Sequence, residues 1–142
     1  MTTYLLDADV LIALTVAEHE HHARTSAWAA GITRFAVCPV VEGALVRFLV
    51  RIGESARVAQ EVLRAVHALP GCEFWPDSMS YVGSDLGHVR GHRQVSDAYL
   101  VSMAAGKPDA ALATLDEGLV QSLPDRTLLV PATITALSLI HI

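Results

Sequence analysis

Short β-like runs alternate with helical patterns along this chain, and four of the junctions between them carry a carboxylate. Such alternation specifies βα units, because a parallel strand can return to the same edge only through a crossover. Thr2 to Leu6 reads as the first strand and leads directly into an apolar helix from Val10 to Val16. A second helix runs from about His19 to Ala30, with Gly31 as its stop. Arg34 to Cys38 is a short second strand. Pro39 opens the next helix, Val40 to Val50, at a position where a missing N–H costs little.

Glu54 to Leu69 is the cleanest amphipathic pattern, with Ala59, Val62, Leu63 and Val66 at helical spacing opposite Arg57, Glu61 and Arg64. Glu73 to Trp75 reads as a third strand. Ser78 to Arg93 is glycine-rich and irregular, expected to hold a short helix flanked by loops near the functional edge. Val95 to Ala105 reads as a helix, Ala111 to Leu115 as a central strand and Leu128 to Val130 as an edge strand. The fold class predicted is one α/β domain around a mostly parallel sheet.

Composition excludes little else. Of the 142 residues, 52% are hydrophobic and only 6% aromatic, a globular profile with an aliphatic core. Cys38 and Cys72 lack CxxC spacing and read as reduced thiols of a cytoplasmic protein. No basic region opens the chain as a secretory leader would. The apolar stretch from Leu128 is too short to span a bilayer and contains Pro131, so no membrane partner is expected. A formal charge of −5 would argue against a nucleic-acid partner, unless several of the acids bind metal.

Asp7 closes the first strand and Asp116 closes Ala111 to Leu115, while Glu42 and Asp97 stand in the first turns of two helices. In an open parallel sheet, ligands bind outside the carboxyl ends of the strands. Acids gathered there raise one another's pKa and repel unless a cation joins them. Mg²⁺ or Mn²⁺, which prefer oxygen ligands, would resolve the conflict and suit the in-line hydrolysis of a phosphodiester. The competing reading has Glu42 and Asp97 merely complementing helix dipoles, which leaves the two strand-end acids unexplained.

Three segments resemble a known family. Leu5-Leu6-Asp7-Ala8-Asp9-Val10-Leu11-Ile12-Ala13-Leu14 resembles the opening of PIN-domain nucleases, and more narrowly the VapC toxins of toxin–antitoxin pairs. Gly91 to Leu100, with Asp97, looks like the segment carrying that family's third acid, and Leu112 to Leu119, with Asp116, like its fourth-acid segment. The resemblance implies a three-layer α/β/α PIN domain over residues 1–131, with an apolar tail, Ala132 to Ile142, of no assigned role. It further implies a Mg²⁺- or Mn²⁺-dependent endoribonuclease with Asp7, Glu42, Asp97 and Asp116 as its acidic quartet. A VapB-type antitoxin, an RNA substrate such as tRNA or rRNA, and a homodimer are the implied partners. Thr114 matches a hydroxyl position that supports the site in the family. Asp9 departs from the commoner Asn, Ser or Thr, and reads either as a fifth acid near the metal or as the cap of the first helix. Arg90 and Arg93 precede Asp97 and are candidates for phosphate contacts. Arg47 and Arg51 follow Glu42 on its helix and are candidates for RNA or for acidic groups of an antitoxin.

Two rivals use the same residues. Asp7-Ala8-Asp9 also resembles the opening of haloacid-dehalogenase-type phosphatases, with Asp7 as nucleophile. That family's Thr is replaced here by Leu11, and the only lysine is Lys107. The other rival is a PIN-like module that binds RNA or a partner without cutting, against which the complete quartet argues. His19-Glu20-His21-His22 lacks the i, i+4 histidine pair of a zincin helix.

Overall fold

A computed structural model describes residues 1–132. Five strands, β1 (Thr3–Leu6), β2 (Arg34–Val37), β3 (Cys72–Phe74), β4 (Ala110–Thr114) and β5 (Thr127–Leu129), form one sheet in the order β3-β2-β1-β4-β5. Every pairing is parallel, with Leu5 beside Ala36 on one side and Leu112 on the other. Strands of this kind are covered on both faces, so they read as unbroken apolar runs. Leu5, Leu6, Ala36, Val37, Leu112 and Ala113 are accordingly all buried.

Six helices connect the strands: α1 (Ala8–Thr15), α2 (His22–Ala30), α3 (Pro39–Arg51), α4 (Ala56–His67), α5 (Val95–Ala105) and α6 (Glu117–Ser122). The chain moves from β1 outward to β3, then crosses back to β4 on the far side of β1 and on to β5. Right-handed crossovers therefore put α1 to α4 on one face and α5 and α6 on the other, giving three layers. The packing agrees: α1 meets α2 and α3, α3 meets α4, and α5 lies against β4 and β1.

Local chemistry sets the boundaries. Ser55 caps α4 by accepting from Val58 N–H at 3.1 Å, and Pro39 occupies the first turn of α3. The expected helix at 54–69 is thus two residues shorter at each end, and β3 begins one residue earlier than the expected strand at 73–75. α6 was not expected from the sequence. Ser78 to Arg93 holds only a short 3₁₀ turn, Tyr81–Gly83, and a second, His92–Gln94, leads into α5. The tail beyond Ala132 lies outside the described residues. Both cysteines are free. Among the described residues, no helix is long and apolar enough to cross a membrane.

Gly71 is the tightest turn. Its φ is +80°, and a Cβ there would come within 1.9 Å of the Thr33 carbonyl oxygen. Its own carbonyl accepts from Phe35 N–H at 3.0 Å, so the turn cannot relax without loosening β2. Gly71→Ala is expected to cost about 2 kcal/mol or more of stability, read from the urea midpoint.

Candidate active site

All strands run the same way, so β1 and β4 deliver the residues that follow them to one edge. The sheet reverses its winding between these two strands, which makes their carboxyl ends the switch-point crevice of the fold. Asp7 stands there directly after β1, and its backbone N–H still continues the ladder by donating to the Ala113 carbonyl at 3.0 Å. Asp7 is only 6% exposed. The Thr114 hydroxyl, wholly buried at the end of β4, donates to Asp7 Oδ2 at 2.8 Å. The Thr114 hydroxyl oxygen in turn accepts from the Asp116 N–H at 3.0 Å. One hydroxyl thus ties the two strand-end acids together.

Asp116 caps α6, its Oδ1 accepting from Leu119 N–H at 3.2 Å. Asp97 enters from the first turn of α5 and is half-buried. It shares a recess with Asp116, His88, Gln94, Gly118 and Ser122. The acids act on one another electrostatically. Burial, then the charges of Asp7, Asp116 and Asp9, push the Asp97 carboxyl up to about 7. Burial is also the main cause that raises Asp7, to about 6; Thr114 opposes it and the charges of Asp9 and Asp116 add to it. Three aspartates, with Asp9 at their margin, therefore act on one another as an unneutralised cluster.

The expected quartet is not assembled in full. Glu42 sits in the first turn of α3, but its carboxylate is bonded to His67 Nε2 at the end of α4. It is not among the charges that raise Asp97. His67 escaped the sequence reading because it lies on the polar side of an amphipathic helix, where periodicity assigns it to solvent. Asp9 is not the cap of the first helix: Asp7 holds that position, and Asp9 is exposed in the first turn. There it complements the dipole and adds charge to the cluster. Arg90 and Arg93 are exposed, and among the described residues neither guanidinium makes an ion pair or side-chain hydrogen bond. Neither lines the recess that holds Asp97 and Asp116. His88 and Gln94, which do line it, come from the irregular segment and from the turn before α5.

The donor set suits a hard cation: oxygen ligands only, mutually repelling, and partly withdrawn from water. Among the described residues no three His, Cys, Asp or Glu groups close into a ready-made cage. Thr114→Val keeps the shape of the side chain but leaves a buried Asp7 oxygen and the Asp116 N–H without their partner. A loss of about 1–3 kcal/mol in denaturant unfolding is the expected result.

Comparisons with known proteins identify the family of the chain. The PIN domain family model matches residues 4–122. Ribonuclease VapC29 of Mycobacterium tuberculosis is 52% identical over 132 residues, covering 92% of this chain and 98% of that protein. Ribonuclease VapC38 of the same species is 36% identical over 125 residues, covering 80% of this chain and 85% of its own. Among solved structures, VapBC2 from Rickettsia felis, bound to a DNA fragment from the promoter of that pair, superposes with a TM-score of 0.62. The match covers 90% of this chain and 98% of the other at 16% identity, a likeness of fold. A match of this extent sets aside the phosphatase reading, in which Asp7 would have been a nucleophile. With its aspartates at the switch point of a five-stranded parallel sheet, the chain belongs to the PIN-domain family, among the VapC ribonucleases.

Proposed function

We propose that this protein is a Mg²⁺- or Mn²⁺-dependent endoribonuclease, the toxin of a VapBC-type pair. One observation carries the reading: Asp7, Asp97 and Asp116 converge at the crevice, with Asp7 and Asp97 held well above the ordinary carboxylate range. Asp7 and Asp116 are the residues that would hold the ion, with Asp97 and Glu42 completing the set. When bound, such a cation supplies positive charge beside a phosphate and lowers the pKa of a water there.

The chain's own residues do the rest. Thr114 fixes the Asp7 carboxylate and, through the Asp116 N–H, the backbone that presents the second acid. Asp97, only half-buried, would accept a hydrogen bond from the attacking water and orient it. Glu42 joins the set by turning away from His67. Displacement of the 3′-oxygen by water leaves a 5′-phosphate and a 3′-hydroxyl. Arg93 and Arg90, exposed and unpaired before Asp97, serve the phosphates that flank the cut.

The partners follow from the relatives. The solved neighbour is a VapBC pair, which supports a small antitoxin as the partner here. Cleavage of tRNA or rRNA in the cytoplasm is the activity such a partner would restrain. Homodimer formation is supported by an apolar strip that the fold leaves in water, with Val50, Ile52 and Val58 each exposed by 43% or more.

Incubating antitoxin-free protein with total cellular RNA in Mg²⁺, Mn²⁺ or EDTA, beside an Asp7→Asn control, tests the reading. Discrete fragments that need metal and vanish in the variant are expected. Intact RNA throughout, from folded protein supplied with metal, would overturn it.

A further inference from the structure

A recess of about 470 Å³ opens beside the aspartates, lined by Asp9 and Ile12 of α1, His19, and Ala44, Arg47, Phe48 and Arg51 of α3. The α3 residues recur at i, i+3, i+4 and i+7 and so form one stripe. Side chains on a helix lean toward its N-terminus, and Arg47 does so here. Its Nη1 would lie 3.3 Å from a Cβ built on Gly43, so a larger residue at 43 would press on the guanidinium. One turn further on, the Arg51 guanidinium lies 5.8 Å from the centre of the Phe48 ring. Among the described residues, neither arginine forms an ion pair.

We propose that this recess is an RNA subsite, in which Arg47 takes a phosphate flanking the cut and the Phe48–Arg51 pair stacks an unpaired base. The assignment rests on the nuclease reading above, since it places the RNA strand across the aspartates. Two features select RNA over an acidic peptide. An aromatic ring backed by a planar guanidinium is the surface on which splayed-out bases stack. Asp9, which lines the recess, is also one of the charges that act on Asp97, so the recess borders the cluster where the reacting phosphate must sit. Free cations alternating with a flat apolar surface match the alternation of phosphate and base along a single strand.

The test uses full-length Asp97→Asn protein in metal-free buffer, where the probe is expected to stay intact, and a labelled single-stranded RNA of mixed sequence. Binding is followed by fluorescence anisotropy across a salt series. Arg47→Gln and Arg51→Gln are each expected to flatten the slope of log affinity against log salt by about 0.7. Phe48→Leu is expected to weaken binding roughly tenfold with no change of slope, and to lose that effect on abasic RNA. Arg51→Lys, an exposed change that keeps the charge but not the planar group, should likewise weaken binding while the slope stays. It secures the test if Phe48→Leu folds poorly.

Unchanged affinity and slope in all four variants would overturn the subsite while leaving the nuclease reading intact. Variants that hold RNA normally but release a co-expressed antitoxin would make the recess a protein-docking surface, also against the proposal. If the parent does not bind RNA and the unsubstituted protein does not cut it, both readings fall together.

Discussion

Asn in place of Asp7 or of Asp97 is expected to slow RNA cleavage at least about 10²-fold, with the fold retained. Both substitutions keep side-chain volume, so neither opens a cavity. At Asp7 the remaining amide oxygen can still accept from the Thr114 hydroxyl, now 2.8 Å from Oδ2. What is lost is negative charge at the one place where three aspartates act on one another. A neutral amide holds a hard cation far less well than a carboxylate and cannot take up a proton from water. Asp9→Asn should be far milder, because Asp9 is exposed and only adds field to the cluster. Glu42→Gln should fall between them, since Glu42 reaches the site only by leaving His67. Single-turnover rates at saturating Mg²⁺ give this order directly. Full activity in Asp7→Asn or Asp97→Asn, or a deeper loss in Asp9→Asn than in either, would refute the site assignment.

That site was legible in the sequence where strand and acid coincide. The runs before Asp7 and Asp116 are mostly apolar because parallel strands bury both faces, and each ends abruptly in a carboxylate. A reader of the chain can see such an end without knowing the fold. α6 was hidden for a related reason: it has only six residues, and its cap is Asp116 itself, a residue already read as a ligand. The first helix concealed its start in a similar way, since Asp7 occupies the cap position, without a capping hydrogen bond from its side chain, and Asp9 falls two positions later.

Tertiary partners were the part that periodicity could not supply. His67 meets Glu42 across the α3–α4 pair, 25 positions away in sequence, from a helix face that looks solvated. His88 and Gln94 reach the Asp97 recess from a segment whose glycines and 3₁₀ turns carry no period at all. The orders of strand and acid are written locally, whereas the state of each carboxylate depends on groups brought from elsewhere.

That dependence gives the second large effect, on stability rather than rate. In metal-free buffer, the advantage of Asp97→Asn over the unsubstituted protein is expected to grow as pH rises from about 4 to about 8. The sign follows from proton linkage. Unfolded, these aspartates titrate near their ordinary value of 3.8; folded, they titrate near 6 for Asp7 and near 7 for Asp97. Between those limits the native state holds protons that the unfolded chain has released, so stability falls as pH rises. Above the folded values the full penalty is present, with Asp7 and Asp97 both deprotonated in a buried cluster. Allowing for solvent around half-buried Asp97 and for the coupling between the two acids, the loss is on the order of a few kcal/mol. For a chain of this size that is a difference of roughly 5–10 °C in Tm. Taking the difference between the two proteins cancels the contribution of every group they share. Millimolar Mg²⁺ should stabilise the unsubstituted protein most at the alkaline end, because a ligand that binds only the folded state raises its stability by mass action. The substituted protein, with one carboxylate fewer, should respond less. A pH-independent difference between the two in metal-free buffer would mean that the aspartates do not repel one another, and the argument for a cation at this crevice would lose its basis.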